Sequence, residues 1–87
     1  MVMYKLDFSP AGKDSLASLD KKVAQRALDK LRWLLRNIDN ISAPPLKRNL
    51  SVLYKLRVGD WRVIYEVKRD QRVVTVHKVG HRSEIYR

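Results

Sequence analysis

Arg57 and Arg62 stand symmetrically about Gly59-Asp60. Gly-Asp between two β-rich runs marks a two-residue hairpin turn. Val58 then pairs with Trp61, Arg57 with Arg62, Leu56 with Val63, Lys55 with Ile64 and Tyr54 with Tyr65. Like charges directly opposed across a strand pair are destabilising, by up to about 1 kcal/mol. One reading is that both arginines snorkel into solvent, or that Glu66 or Glu84 neutralises them. The surrounding cations argue for the other. Lys55 shares their face, Lys47 and Arg48 lie upstream, and Arg82 lies downstream. Guanidinium groups fixed on a sheet suit phosphate, because the planar fork binds two oxygens at once.

The segment Gly80-His81-Arg82-Ser83-Glu84-Ile85-Tyr86-Arg87 adds chemistry of another kind. His81, Arg82 and Tyr86 offer an imidazole, a fixed positive charge and a phenol. Gly80 is expected to allow a sharp exit from the last strand. Taken singly, His81 reads as a structural histidine and Tyr86 as a packed or frayed terminal aromatic. His77 lies within a strand pattern and carries no chemical assignment, because its face depends on an open register.

These groups need elements to position them. Tyr4, Leu6 and Phe8 alternate with Lys5 and Asp7, the period of a half-buried strand. Ser9 then caps a short helix with Pro10 at its first position, ending near Leu19. Asp20 caps a second helix, with Leu19 as a hydrophobic staple. Val23, Ala27, Leu31, Leu34 and Ile38 make one continuous face on that helix, which runs to about residue 38. Asn40–Pro45 is a turn-rich connector, since Pro44-Pro45 fits neither a helix interior nor a central strand. Val52–Val58, Trp61–Lys68 and Val73–Val79 read as strands, with a polar turn around Arg69–Gln71. The hairpin's core face carries Val52, Tyr54, Leu56, Val58, Trp61, Val63, Tyr65 and Val67. The expected fold is α+β: a single small domain over residues 1–87, β-α-α-β-β-β, with two helices packed on one face of a mainly antiparallel sheet.

Composition narrows the partner. Nineteen Lys and Arg against nine Asp and Glu give a net charge of +10 and a pI near 10.3. Residues 1–42 hold eight basic and five acidic side chains (+3), and residues 43–87 hold eleven and four (+7). Such charge on a small body repels itself, which points to a polyanion, with nucleic acid ahead of an acidic protein or a membrane surface. No apolar stretch approaches the roughly 20 residues of a membrane span. The opening residues lack a signal-peptide pattern, so a cytoplasmic location is expected. The chain has no Cys and only His77 and His81 as histidines. A disulfide and a thiolate metal cage are therefore excluded, and no metal or other cofactor is expected.

Leu53 through Val67, reading LYKLRVGDWRVIYEV, closely resembles the central hairpin of the RelE/ParE toxin superfamily. Val79 through Tyr86, reading VGHRSEIY, resembles its C-terminal motif. The Phe8-Ser9-Pro10-Ala11 start, the two helices and Leu46-Lys47 fit the same pattern, so the likeness spans nearly the whole chain. It implies a RelE-like fold and a toxin of a type II toxin–antitoxin system. RelE-type members cut mRNA in the ribosomal A site, whereas ParE-type members poison DNA gyrase. By position, Arg62 resembles the family's phosphate-contacting arginine and Lys55 its catalytic lysine. Arg57 falls at a nearby basic position, and Arg82 and Tyr86 match the C-terminal pair. The retained Tyr86 favours the RelE branch. Leu53 stands where one well-known member has a second lysine, and the C-terminal turn is shorter and carries His81.

The resemblance implies a metal-independent endoribonuclease, in which an RNA 2′-hydroxyl attacks its own 3′ phosphate. Arg62 and Arg82 then stabilise the phosphate, since guanidinium groups, with pKa above about 12, are poor proton carriers. Lys55 is a base if Arg57 and Arg62 favour its neutral amine, or otherwise one more charge. Tyr86 stacks on a nucleotide, His81 is the candidate acid, and Lys47, Arg48 and Arg57 hold RNA phosphates. The implied partners are the 70S ribosome with its mRNA and an acidic, RelB-like antitoxin, through which the complex reaches operator DNA. A ParE-like gyrase inhibitor and a non-catalytic RNA-binding module are the alternatives.

Overall fold

A computed structural model describes residues 4–38 and 53–85. The elements run β1 (Lys5–Phe8), α1 (Pro10–Ala17), α2 (Lys21–Asn37), β2 (Leu53–Val58), β3 (Trp61–Lys68), β4 (Val73–His81) and α3 (Arg82–Ile85). The four strands form one sheet in the order β1-β4-β3-β2. β1 pairs with β4 in parallel, while β2–β3 and β3–β4 are antiparallel. The expected α+β architecture is present, with α3 as an additional element.

Local chemistry explains where the helices begin. Ser9 Oγ accepts from the Gly12 amide at 3.0 Å, and Pro10 follows at the first helical position. Asp20 accepts from the Lys22 amide at 3.2 Å and starts α2. Gly12 is needed for packing rather than for turning, because a Cβ there would run into the Val76 carbonyl of β4.

Ala27, Leu31 and Leu34 of α2, with Ile38 just beyond its end, are buried against Leu56, Val58, Val63, Tyr65, Val74, Val76 and Val79 of the sheet. Leu19 packs against this core from the bend between the helices, as the staple requires. Each large apolar side chain buried in this shared core contributes roughly 1.5–3 kcal/mol to folding. No helix among the described residues is long and apolar enough to cross a membrane.

The hairpin has the expected register: Val58↔Trp61, Arg57↔Arg62, Leu56↔Val63, Lys55↔Ile64 and Tyr54↔Tyr65. Gly59 has φ 60°, the left-handed conformation such a turn demands. The end of β4 differs from expectation. Gly80 does not turn the chain out of the sheet; it pairs with Arg62 inside β4, and the strand continues to His81. Its missing side chain leaves room for Ile85 of α3, whose Cδ1 would lie 3.3 Å from a Cβ. β4 also carries a bulge, because Ile64 pairs with Lys78 but Tyr65 pairs with Val76. Val52 and the Asn40–Pro45 connector lie outside the described residues.

Candidate nucleic-acid site

The sheet face turned away from α2 holds the candidate groups in rows set by the register. Arg57, Arg62 and Gly80 form one row, and Lys55, Ile64 and Lys78 the next. Leu53, Glu66, Thr75 and Asp7 form a third. Successive rows on one face are two residues apart, about 7 Å.

Arg57 and Lys55 are exposed, as is Lys78. Arg62 is not: it is 8% exposed, and its Nη1 donates to the carbonyls of Gly59 and Trp61, both at 2.8 Å. The charge opposition with Arg57 is thus relieved by tucking one guanidinium against the turn. Snorkelling of both arginines does not describe the pair, because Arg62 is buried. Glu84 accepts from the His81 amide at 3.2 Å.

Arg82 opens α3 beside the hairpin, its amide donating to the Asp60 carbonyl at 2.9 Å, and its side chain is exposed. His81 stands edge-on to Trp61, with ring centroids 5.4 Å apart. Its Nδ1 accepts from the Ser83 amide at 3.2 Å and lies 2.9 Å from Ser83 Oγ, so the imidazole acts as the cap of α3. With Glu84 reaching back to the His81 amide, this is a capping box built on histidine. Lys55, Arg57, Arg62 and Lys78 therefore share one sheet face, whereas His81 pairs with Trp61 on the opposite face and Arg82 follows it at the strand's end. Lys47, Arg48 and Tyr86 lie outside the described residues.

Two features escape a reading of the sequence. Lys78 joins the basic rows only through the pairing of β4. His77 Nε2 lies 3.0 Å from Glu66 Oε1 on the same face. Around the edge of β2, Arg57 also lines a groove of about 400 Å³ with Arg26, Asp29, Lys30 and Trp33 of α2. Trp33 is 40% exposed there, with the Lys30 ammonium 4.5 Å from its ring centre. Among the described residues no cluster of His, Asp or Glu is arranged to hold a metal ion.

Comparison with known proteins gives a consistent relationship. The sequence profile of the ParE toxin of type II toxin–antitoxin systems (parDE) matches residues 6–86. Toxin RelG of Mycobacterium tuberculosis is 35% identical over 43 residues, which is 49% of this chain and 49% of that toxin. The match thus spans about half the length of that curated relative. The isolated RelE toxin of E. coli superposes with a TM-score of 0.73 at 31% identity, covering 95% of this chain and 90% of that one. In the intact E. coli RelBE toxin–antitoxin complex, the similar chain gives 0.66 at 27% identity, covering 90% and 95%. With a profile match across nearly all of its length and the same fold around the same hairpin, this chain belongs to the ParE toxin family of type II toxin–antitoxin systems.

Proposed function

We propose that this toxin is a ribosome-dependent endoribonuclease that cuts mRNA in the A site by 2′-hydroxyl attack and so stops translation. The observation that carries the reading is the pair of basic rows, with Arg57, Lys55 and Lys78 exposed on a rigid sheet beside Arg82. A phosphate on this face meets several fixed cations within about one 7 Å row spacing. Charge placed in advance where the pentavalent phosphate develops its own is the main service a protein offers in such a reaction. Guanidinium and ammonium groups supply that charge without a metal. In this reading Arg57 and Arg82 contact phosphate, Arg62 shapes the turn that aims them, and Lys55 supplies charge at the centre. Tyr86 stacks on a base, and Lys47 and Arg48 extend the RNA path. His81, committed to capping α3, is a weaker candidate for the acid than its residue type suggests.

The natural partner in this reading is an acidic antitoxin, which the net charge of +10 and the RelBE relative both support. Complex formation occurs in the cytoplasm and covers the basic face, and the antitoxin carries the complex to operator DNA.

The test is primer-extension mapping of mRNA on purified translating ribosomes. Wild-type toxin pretreated with EDTA is expected to cut within A-site codons in reactions still supplied with magnesium. Arg57→Ala with Arg82→Ala, both exposed, is expected to lose 100-fold or more, on the order of two lost phosphate contacts. Tyr86→Ala is expected to lose cutting as well. Wild-type cutting by these variants would refute the reading. The ParE description of the matching family keeps gyrase inhibition as the second reading, and inhibition of supercoiling without mRNA cuts would establish it.

A further inference from the structure

The bulge in β4 has a chemical consequence. Between Val76, which faces Tyr65, and Lys78, which faces Ile64, His77 has no opposite residue in β3. Bulges insert one residue and re-aim its side chain. Here the inserted residue is His77, and it turns to the outer face, onto Glu66. Two neighbours in sequence, His77 and Lys78, thereby serve the same face.

Glu66 Oε1 and His77 Nε2 are 3.0 Å apart, with side chains 13% and 35% exposed. A carboxylate at Nε2 selects the neutral tautomer that carries its proton there, which leaves the Nδ1 lone pair to accept another. It also stabilises the imidazolium that results, the division of labour in a carboxylate–histidine pair of a hydrolase. The pair stands at the third row. The Lys55–Lys78 row is about 7 Å away, and the Arg57–Arg62 row about twice that. A phosphate held over the middle row has cations on one side and this imidazole on the other.

We propose that His77 takes the proton of the attacking 2′-hydroxyl and that Glu66 is the residue that positions it; this rests on the RNA-cleavage reading above. In the step, the 2′-hydroxyl proton passes to Nδ1 as the 2′-oxygen–phosphorus bond forms. The phosphorus–5′-oxygen bond breaks with its electron pair on oxygen, which takes a proton from the Lys55 ammonium. Cyclic phosphate and 5′-hydroxyl ends result. The charged and titratable groups on the strands around His77 are Arg62, Glu66 and Lys68 on β3, Lys78 and His81 on β4, and Lys55 and Arg57 on β2. Lys5 and Asp7 lie on β1, and Lys13 and Asp14 on α1.

The experiment is single-turnover cleavage on programmed ribosomes between about pH 5.5 and 8.5, the range in which an imidazole changes charge. His77→Gln is expected to lose about 100-fold or more in rate. Its ribosome affinity and melting temperature are expected to stay at wild-type values. Added imidazole is expected to restore part of the rate to His77→Ala. Glu66→Gln is expected to keep slower cleavage, with the loss in the single-turnover rate and ribosome affinity at the wild-type value. Wild-type rates in His77→Gln, with wild-type protein cutting normally, overturn this proposal and leave the cleavage reading intact. Wild-type protein that does not cut overturns both. Should the His77 variants fail to fold, a wild-type rate in Glu66→Gln overturns the proposal by itself.

Discussion

Tyr65 stacks on Tyr54 across the hairpin, with ring centroids 5.5 Å apart, and is buried in the core. Burial raises its pKa above the ordinary 10.0; the neighbouring Tyr54 adds to the rise and Arg69 opposes it. The folded state thus holds the phenol protonated more firmly than the unfolded chain does. That contribution is complete below about pH 10 and is lost as pH rises through the folded value. Tyr65→Phe is therefore expected to flatten the alkaline fall in stability, measured as urea midpoints from pH 8 to 11. A variant that declines as steeply as wild type would contradict this origin. Alternation made the Tyr54–Tyr65 contact readable, but it did not make the fate of Arg62 readable. A strand pattern says which face a side chain leaves from, and nothing of carbonyls at the end of the turn that fold a guanidinium back. His81 is a similar case: its residue type suggested acid chemistry, and its neighbours Ser83 and Glu84 make it a cap.

At the scale of elements, the hairpin and α2 were legible because each is specified locally, by a turn dipeptide and by a 3.6-residue period. β4 was less so. Its bulge breaks the alternation between Val76 and Lys78, and only pairing with β3 decides where the extra residue sits. α3 had a local signal after all, His81 and Glu84 spaced as a capping box, hidden because histidine is an uncommon cap. Lys47, Arg48 and Tyr86 rest on resemblance and spacing alone. The sheet also contains a locally unfavourable choice. Thr75 Oγ1 is buried in β4 without a hydrogen-bond partner within the described residues. A buried unsatisfied hydroxyl costs about 1–3 kcal/mol, and an apolar group of the same shape avoids that cost. Thr75→Val is expected to stabilise by about 1 kcal/mol, or roughly 4–8 °C in melting temperature for a domain of this size. A lowered melting temperature would show that the hydroxyl has a partner in solution.

For the molecule as a whole, charge dominates. Composition predicted a polyanionic partner, and the fold gathers several of the cations onto one sheet face and one groove at its edge. Among the described residues, Asp29 lies 3.6 Å from Arg32 and Glu66 meets His77. Self-repulsion at +10 is screened as salt shortens the Debye length from about 14 Å near 0.05 M to about 4 Å near 0.5 M. The free toxin is therefore expected to melt at higher temperature in 0.5 M than in 0.05 M NaCl, by calorimetry. The opposite trend would mean that attractive ion pairs outweigh repulsion.

The parallel pairing of β1 with β4 has a consequence in time. Lys5 meets Val73 and Phe8 meets Val76, so the first strand made waits for the last strand of the sheet. At about 5–20 residues per second, that wait lasts several seconds of synthesis. During it, α1 and α2 form beside a sheet that does not yet exist, and the cation rows have no β3–β4 frame to hold them. The basic surface comes into being only once β4 is free to close the sheet.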